Sequence, residues 1–358
     1  MRTVFLSIVS LSFGIIPLLL LLFVLRKQIK KRFGAGWVRL IWIAVLLRLL
    51  IPCSFTGVSL LSPNLFAANP MSAAGGAEAG AFWQSVPLLD WLAIVWVLVA
   101  VLLLLYHVLD YGLFQRHLLR WSREPQEPSL LEIAEDVRKF WNLPGSLKIL
   151  ICSEMKTPAS VGVFRPVIVL PTEQFDDADL TLILHHEVAH LRRGDIIVKW
   201  CSMIIRCLYW FHPLVHRLCS QLADDLEAAC DAAVMKKLGQ EQEIQKYYSY
   251  LILDIAAGKN GRFYPFTTCL QDTRDSLRSR IDSIFDTNPK PSGLPALALC
   301  GFCLLLSSGL VQLQYQETDL PVPLPEAEQT VPAENSDNQS VVTIDLYQLE
   351  QQLEEQGA

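Results

Sequence analysis

The sequence predicts a mainly α-helical membrane protein, with four transmembrane helices and a cytoplasmic α+β domain inserted between helices 3 and 4. Three observations lead to this prediction. Of the 358 residues, 52% are hydrophobic and only 18% are charged, whereas soluble domains have about 25% charged residues. The apolar residues gather into runs close to the length of about 20 residues that spans a bilayer. Basic residues are concentrated in alternate connecting segments. This composition excludes a disordered chain and one that wraps nucleic acid, so no direct nucleic-acid partner is expected.

The first three apolar runs are predicted to be transmembrane helices. They cover Val4 to Leu25, roughly Leu40 to Leu61, and Trp91 to Leu109. Only Arg2 precedes the first run, whereas six Lys or Arg residues lie between Arg26 and Arg39. The positive-inside rule therefore places the N-terminus outside and the basic loop in the cytoplasm, and it favours a span over a signal peptide.

The remaining segments follow the same charge rule. The exterior loop 62–90 has no Lys or Arg, and basic residues return after the third run. A fourth run extends from Leu294 to about Val311, and the tail after it has ten acidic residues and no basic ones, which leaves +4 for the rest of the chain. The predicted parts are three transmembrane helices in 1–112, a cytoplasmic domain in 113–292, a fourth helix in 293–312 and a largely disordered exterior tail in 313–358.

One basic residue lies inside the second predicted span. An ionisable group at membrane depth is a functional candidate, and this makes Arg48 a candidate. The alternative is an arginine that reaches the membrane surface or pairs with a neighbouring helix.

The cytoplasmic region alternates helical and β-rich patterns. The predicted elements are a helix over Ser129 to Trp141, strands over Leu147 to Cys152 and Pro166 to Leu170, and helices over Thr181 to Arg192 and Gln221 to Leu238.

The helix at Thr181 to Arg192 carries a two-histidine motif, running from His186 through Glu187 to His190. Histidines four residues apart on a helix face the same ion, and Glu187 is close enough to reach a water molecule bound there. The alternative is a pair of helix histidines satisfied by hydrogen bonds. His185 is expected to point away from this site.

A catalytic zinc ion needs a third protein ligand. Glu227 is our choice because Asp231 follows one helical turn later and could orient a ligand. The alternatives are Asp195, Asp224 and Asp225, and Cys230 is expected to be a small core residue rather than a thiolate ligand.

The choice of Glu227 constrains the apolar run from Ile196 to Pro213. If this run crossed the membrane, Glu227 would lie on the opposite side from the two histidines. We therefore predict a buried or interfacial hairpin element, with Lys199 and Arg206 at its rim.

These motifs together resemble the BlaR/MecR family of bacterial membrane metallopeptidases, sensor-transducers that lead to cleavage of a transcriptional repressor. The resemblance covers about residues 1–312. It rests on the three leading spans, Arg48 to Pro52, Pro158 with Gly162, Pro166 to Pro171, the two-histidine motif followed by Arg193-Gly194-Asp195, Trp210 to Val215, and Glu227 with Cys230-Asp231.

The resemblance implies a zincin-like (gluzincin) peptidase domain. It implies that His186, His190 and Glu227 bind Zn²⁺ and that Glu187 is the catalytic acid/base. It also implies that the strand at Pro166 to Leu170 pairs with an extended substrate. Family members that sense β-lactams carry an exterior penicillin-binding domain. The tail is too short for one and has no Ser-x-x-Lys motif, so β-lactam sensing is not expected.

The predicted function is that of a zinc endopeptidase at the cytoplasmic face of a bacterial plasma membrane, cleaving a protein, such as a repressor, in signal transduction. Self-cleavage is predicted between about Ser279 and Thr287, in an extended linker that lies at the membrane face. The exterior loop or tail could bind a further partner. The alternatives are a non-enzymatic membrane signalling scaffold with a structural metal site, and a housekeeping membrane protease.

Overall fold

The structure is a computed structural model that describes residues 2–51, 88–163, 165–239, 241–257, 274–286 and 290–310. The helices are α1 (Arg2–Gly14), α2 (Ile16–Phe33), α3 (Ala35–Leu50), α4 (Leu88–Trp121), α5 (Pro128–Phe140), α6 (Asp177–Arg193), α7 (Asp195–Leu208), α8 (Pro213–Leu238), α9 (Gln242–Ala257), α10 (Arg274–Phe285) and α11 (Leu294–Leu310). The strands are β1 (Lys148–Ile151), β2 (Ala159–Val161) and β3 (Val167–Leu170). Most of the predicted exterior loop and all of the predicted tail lie outside the described residues.

Among the residues that the structure describes, two helical stretches are long and apolar enough to cross a membrane. They are Val4–Phe33, which comprises most of α1 and all of α2, and Asp90–Trp121 in α4. The apolar helix Leu294–Ser307 is shorter. The second predicted span is helical from Ala35 to Leu50, and its remaining residues from 52 onward are outside the described part. Two of the four predicted spans, the first and the third, therefore lie in described helices that are long and apolar enough to cross a membrane. Helix α4 continues past the predicted domain boundary at residue 112.

Glycines allow α11 to pack closely against the first three helices. A Cβ atom at Gly14 would overlap the carbonyl oxygen of Ser307, and one at Gly293 would overlap the ring of Trp37. Only glycine allows such an approach of two backbones or of a backbone and a ring. The first contact joins α1 to α11, and the second joins the start of α11 to α3.

Helix α8 belongs to two hydrophobic clusters. Its first half, up to Leu226, packs with α1, α2, α3, α7 and α11. Its second half, from Cys230, packs with α5, α6, α9, α10 and the sheet. Glu227 follows Leu226 directly, so it lies where the two clusters meet. The predicted membrane helices and the predicted cytoplasmic domain thus share one continuous helix.

The three strands form one sheet in the order β1-β3-β2. Strand β1 is parallel to β3, and β2 is antiparallel to β3. The strand implied to pair with substrate, Pro166 to Leu170, is β3. That expectation is wrong, because β3 is the central strand and is hydrogen-bonded on both sides. Among the described strands, β2 is the edge strand that contacts the motif helix α6.

The run from Ile196 to Pro213 does not carry the chain away from the site. Helix α7 ends at Leu208, a turn follows, and α8 begins at Pro213 and packs back against α6 and α7. The hairpin prediction therefore agrees with the fold. The expected position of Lys199 at the rim is wrong, because its side chain is only 11% exposed and its Nζ lies 3.3 Å from Oε1 of Glu227.

The segment before α11 is not the extended linker that we predicted. It forms α10, which packs against α8 and α9, and Arg280 in its middle is buried. The expectation of an accessible, membrane-lying linker is therefore wrong from Arg274 to Phe285, whereas Thr287 is outside the described residues.

Candidate metal centre

Helix α6 presents the two-histidine motif and then ends in a tight turn. Gly194 adopts a left-handed conformation with φ of 66°, and its N–H donates to the carbonyl groups of His190 and Leu191. This C-terminal cap suits glycine, which has no Cβ to clash. The turn places Asp195, the first residue of α7, against the side chain of His190.

Three potential ligand atoms converge on one point. Nε2 of His186 lies 3.1 Å from Nε2 of His190, and Oε2 of Glu227 lies 3.5 Å and 3.3 Å from these nitrogens. A tetrahedral ion with bonds of about 2.0–2.1 Å requires ligand atoms about 3.3–3.4 Å apart. The three residues therefore fit a zinc ion of catalytic type.

Cys230 is a second candidate from the same helix. Its sulfur and the imidazole nitrogens of His186 and His190 all lie within 4.8 Å of one another. The thiol also donates a hydrogen bond to the carbonyl oxygen of His186 at 3.4 Å. The sequence predicts a small core residue here, and Cys230 is indeed fully buried. Its position one helical turn after Glu227 is the signal in the sequence that it also lies close to the centre. Oε2 of Glu227 lies 3.5 and 3.3 Å from the two nitrogens, close to the separation that a tetrahedral zinc ion requires of its ligands.

The His186 branch consists of His186, Tyr248, Asp231 and Arg280. Nδ1 of His186 lies 2.8 Å from the Tyr248 hydroxyl and 3.3 Å from Oδ1 of Asp231. Tyr248 donates to Asp231 at 2.9 Å, and Arg280 donates to both oxygens of Asp231 at 2.7 and 2.9 Å. Burial raises the pKa of Asp231, but the Arg280 charge and the hydrogen bonds of His186 and Arg280 outweigh it, so that this carboxyl is ionised.

The His190 branch consists of His190, Asp195 and Arg39. Nδ1 of His190 donates to Oδ2 of Asp195 at 2.9 Å, and Nε of Arg39 donates to Oδ1 at 3.0 Å. Arg39 also donates to the carbonyl oxygen of Arg193 at 2.7 Å. Burial raises the pKa of Asp195, but His190, Arg193 and Arg39 together hold it below the usual value. Asp195 therefore orients a histidine and does not reach the ligand position.

The electrostatics favour a cation between the imidazoles. Each Nδ1 faces a hydrogen-bond acceptor, so the neutral, metal-binding form of each histidine would present its lone pair on Nε2. Burial lowers the pKa of His186 and His190, yet the surrounding anionic groups raise it well above the usual value. Burial likewise raises the pKa of Glu227, but His190 and Lys199 hold it well below its usual range. The surroundings thus favour positive charge between the two Nε2 atoms and Oε2 of Glu227, and a metal ion would supply that charge in place of protons.

Glu187 lies beside this centre and faces a cavity. It is buried and accepts a hydrogen bond from the Ser160 hydroxyl of β2 at 2.7 Å. The polar residues of the cavity lining are Thr157, His186, Glu187, Tyr248 and Arg280. Its remaining lining includes the apolar residues Pro158, Leu182, Ile183, Leu251, Ile252 and Ile255. The arrangement can hold a proton-accepting carboxylate next to an apolar part of a substrate.

The other candidates from the sequence lie elsewhere. His185 points away from the centre as expected, but it is buried, accepts from the Trp141 indole at 2.8 Å, and has its pKa lowered to about 4 by burial. Asp225 pairs with Arg26 at 2.7 Å and so does not reach the histidines. Arg48 donates to the carbonyl oxygen of Ile51 at the end of α3.

Comparison with known proteins gives consistent matches. Residues 4–284 match the family described as BlaR1 peptidase M56. The chain is 31% identical over 170 residues to regulatory protein BlaR1 of Bacillus licheniformis. The aligned region covers 46% of this chain and 27% of that protein. The chain is also 24% identical over 196 residues to the methicillin resistance mecR1 protein of Staphylococcus aureus. That aligned region covers 52% of this chain and 33% of the relative. The chain therefore matches a third or less of the length of these relatives.

Proposed function

This chain belongs to the BlaR1 peptidase M56 family, and from that premise we propose that it is a membrane-embedded zinc endopeptidase that acts in signalling. The observation that carries the proposal is the convergence of His186, His190 and Glu227 at ligand spacing, with Glu187 beside them. These three residues would hold the zinc ion, and Asp231 would orient His186.

Each residue of the site has a separate task in the proposed reaction. Zinc, when bound, acts as a Lewis acid on the scissile carbonyl and lowers the pKa of water toward 7. Glu187 accepts the proton of the attacking water and later passes it to the leaving amine. The Ser160 hydroxyl holds the Glu187 carboxylate at the edge of the cavity.

The substrate is proposed to be a protein that binds as an extended segment along β2. Strand β2 is the edge strand that contacts α6, and its Ser160 bonds to Glu187, so a segment paired there would pass the catalytic carboxylate. The apolar cavity would accept one of its side chains. A transcriptional repressor is the proposed substrate, because members of the BlaR/MecR family, which the sequence resembles, lead to cleavage of one. Self-cleavage near Ser279 would require α10 to unwind first.

The proposed location is the bacterial plasma membrane, with the active site in the cytoplasm and both termini outside. Helix α4 supports embedding because it exposes a long series of large apolar side chains, far beyond what a water-facing helix carries. These are Leu92, Ile94, Val95, Leu98, Val101, Leu102, Leu105, Val108, Leu109 and Leu113. The four-span topology rests on the charge distribution between the runs.

Cysteine labelling tests this topology. Single cysteines at Ala77 and Asn338, in a chain whose nine native cysteines are replaced, should react with an impermeant reagent on intact cells. A cysteine at Asp177, which is exposed at the start of α6, should react only after lysis. External labelling at Asp177 would contradict the cytoplasmic active site.

Metal content and proteolysis of the purified full chain test the activity. We expect about one zinc per chain and chelator-sensitive cleavage of a peptide library by the wild type, and loss of both in His186→Ala. Zinc without any cleavage would favour the signalling scaffold. Cleavage of the library but not of a repressor encoded beside the protein would favour a housekeeping protease.

A further inference from the structure

We propose that Arg39, which lies on α3 just before the second predicted membrane span, is a positioning residue of the metal centre. Its guanidinium group lies 3.0 Å from Oδ1 of Asp195, whose other oxygen is 2.9 Å from Nδ1 of His190. The inference rests on the proposed function, because it assigns Arg39 a part in binding the zinc ion of that peptidase. It means that the site is complete only when α3 is in place.

The contact is fixed at both ends. The side chain of Asp195 is fully buried, and that of Arg39 is 15% exposed. Arg39 makes a second hydrogen bond, at 2.7 Å, to the carbonyl oxygen of Arg193 in the last turn of α6. One guanidinium group therefore joins the end of the motif helix to the start of α7, a task that suits its planar array of donors.

Helix α3 is itself held against the elements that carry the ligands. The indole of Trp42 donates to Oδ2 of Asp225 at 2.8 Å, two residues before Glu227. Ala35, near the start of α3, packs against Ala228 and Ala229, the two residues after Glu227. These contacts lie on both sides of Glu227, so a displacement of α3 would act on His190 and Glu227 together.

A carboxylate that orients a ligating histidine affects metal binding through the orientation and basicity of the imidazole. Loss of such an outer partner costs about 10- to 100-fold in metal affinity. Without Arg39, the carboxylate of Asp195 would lose its partner on the side away from His190, and it could rotate. We therefore expect Arg39→Gln to weaken zinc binding by about 10- to 100-fold.

Zinc affinity by chelator competition on the full-length protein is the test, with Arg48→Gln as the matched control. Arg48 lies on the same helix and donates to the carbonyl oxygen of Ile51 at the end of that helix. Its substitution should leave the zinc affinity unchanged. Arg39→Lys keeps the charge but not the planar fork, and should give an intermediate affinity. If Arg39→Gln does not fold, the zinc affinity of Arg39→Lys provides the test instead.

A double-mutant cycle separates positioning from general destabilisation. Arg39→Gln should add little to Asp195→Asn, because both break the same branch, but it should add in full to Asp231→Asn. In the cobalt-substituted protein, Arg39→Gln should alter the visible absorption bands. Wild-type affinity in both Arg39 variants, or full additivity with Asp195→Asn, would overturn the inference. A wild type that binds no zinc would instead overturn the proposed function.

Discussion

The two histidines of the centre are held in chemically similar but structurally different ways. In both branches Nδ1 faces an aspartate, and an arginine holds that aspartate from the other side. The arginine of the His186 branch, Arg280, comes from α10 and is 1% exposed. The arginine of the His190 branch, Arg39, comes from α3 and is more hydrated. One histidine is therefore fixed by the peptidase core, and the other depends on a predicted membrane helix.

The candidate metal centre is therefore formed by residues from both parts of the chain. Glu227, on the helix shared by both hydrophobic clusters, lies within 3.5 Å of Nε2 of both histidines. A movement of the predicted membrane helices relative to the core would therefore act directly on the proposed ligands. Variants of the two branches should differ in the way they affect metal binding and stability.

The largest loss of zinc affinity is expected for Glu227, which lies close to the histidines of both branches. Glu227→Gln should lower zinc affinity by more than the about 10- to 100-fold that outer-shell changes cost, because it removes a charged ligand. Cys230→Ala is the matched control from one turn away, and it should retain zinc. Metal content after dialysis against a chelator distinguishes them. Loss of zinc in Cys230→Ala and retention in Glu227→Gln would assign the third ligand to the cysteine.

A smaller effect is expected when one aspartate of each branch is changed. Asp231→Asn and Asp195→Asn should each weaken zinc binding by about 10- to 100-fold. Their costs to stability should differ, because Asp231→Asn removes the carboxylate charge that faces the buried guanidinium group of Arg280, at about 3 kcal/mol. Asp195→Asn should cost about 1–2 kcal/mol, since Arg39 is partly hydrated.

Thermal unfolding of the metal-free proteins in detergent measures this difference. Equal costs to stability in the two variants would remove the distinction between a core-held and a membrane-helix-held histidine. Unchanged zinc affinity in either variant would mean that its aspartate does not orient a ligand.

The smallest effect is expected from Tyr248→Phe. Its hydroxyl bridges His186 and Asp231, but Oδ1 of Asp231 also lies 3.3 Å from the imidazole and can take over the contact. We expect a cost of about 1 kcal/mol in stability and a few-fold loss of zinc affinity. An effect as large as that of Asp231→Asn would make Tyr248 the principal partner of His186. Tyr247→Phe is the control, because Tyr247 is exposed and bonds to Asp179.

The sequence predicts the parts of the centre that depend on local spacing. The helical repeat brings His186, Glu187 and His190 to one side of α6, and it relates Glu227 to Asp231 on α8. The choice of Glu227 as third ligand also predicts that the run from Ile196 to Pro213 does not cross the membrane. A crossing would place Glu227 on the opposite side from the two histidines. These inferences use only the helical repeat and the number of ligands that zinc requires.

The partners that come from distant elements could not be predicted in this way. Arg39 and Arg280 reach the site from α3 and α10, and only the packing of the helices determines which of the many basic residues does so. The order of the strands is a further example, because local sequence identifies β3 as a strand but does not indicate that it is central. The amphipathic pattern in α10 fits a membrane surface and a protein core equally well, and the ion pair of Arg280 with Asp231 selects the core.

The most direct test of the proposed peptidase is a comparison of zinc content and proteolysis in wild type and Glu187→Gln. The substitution removes the proton acceptor but none of the three proposed ligands. With tags at both termini and a candidate repressor supplied as substrate, Glu187→Gln should retain about one zinc per chain and show no cleavage above background. Cleavage at the wild-type rate by a zinc-loaded Glu187→Gln protein would contradict the account.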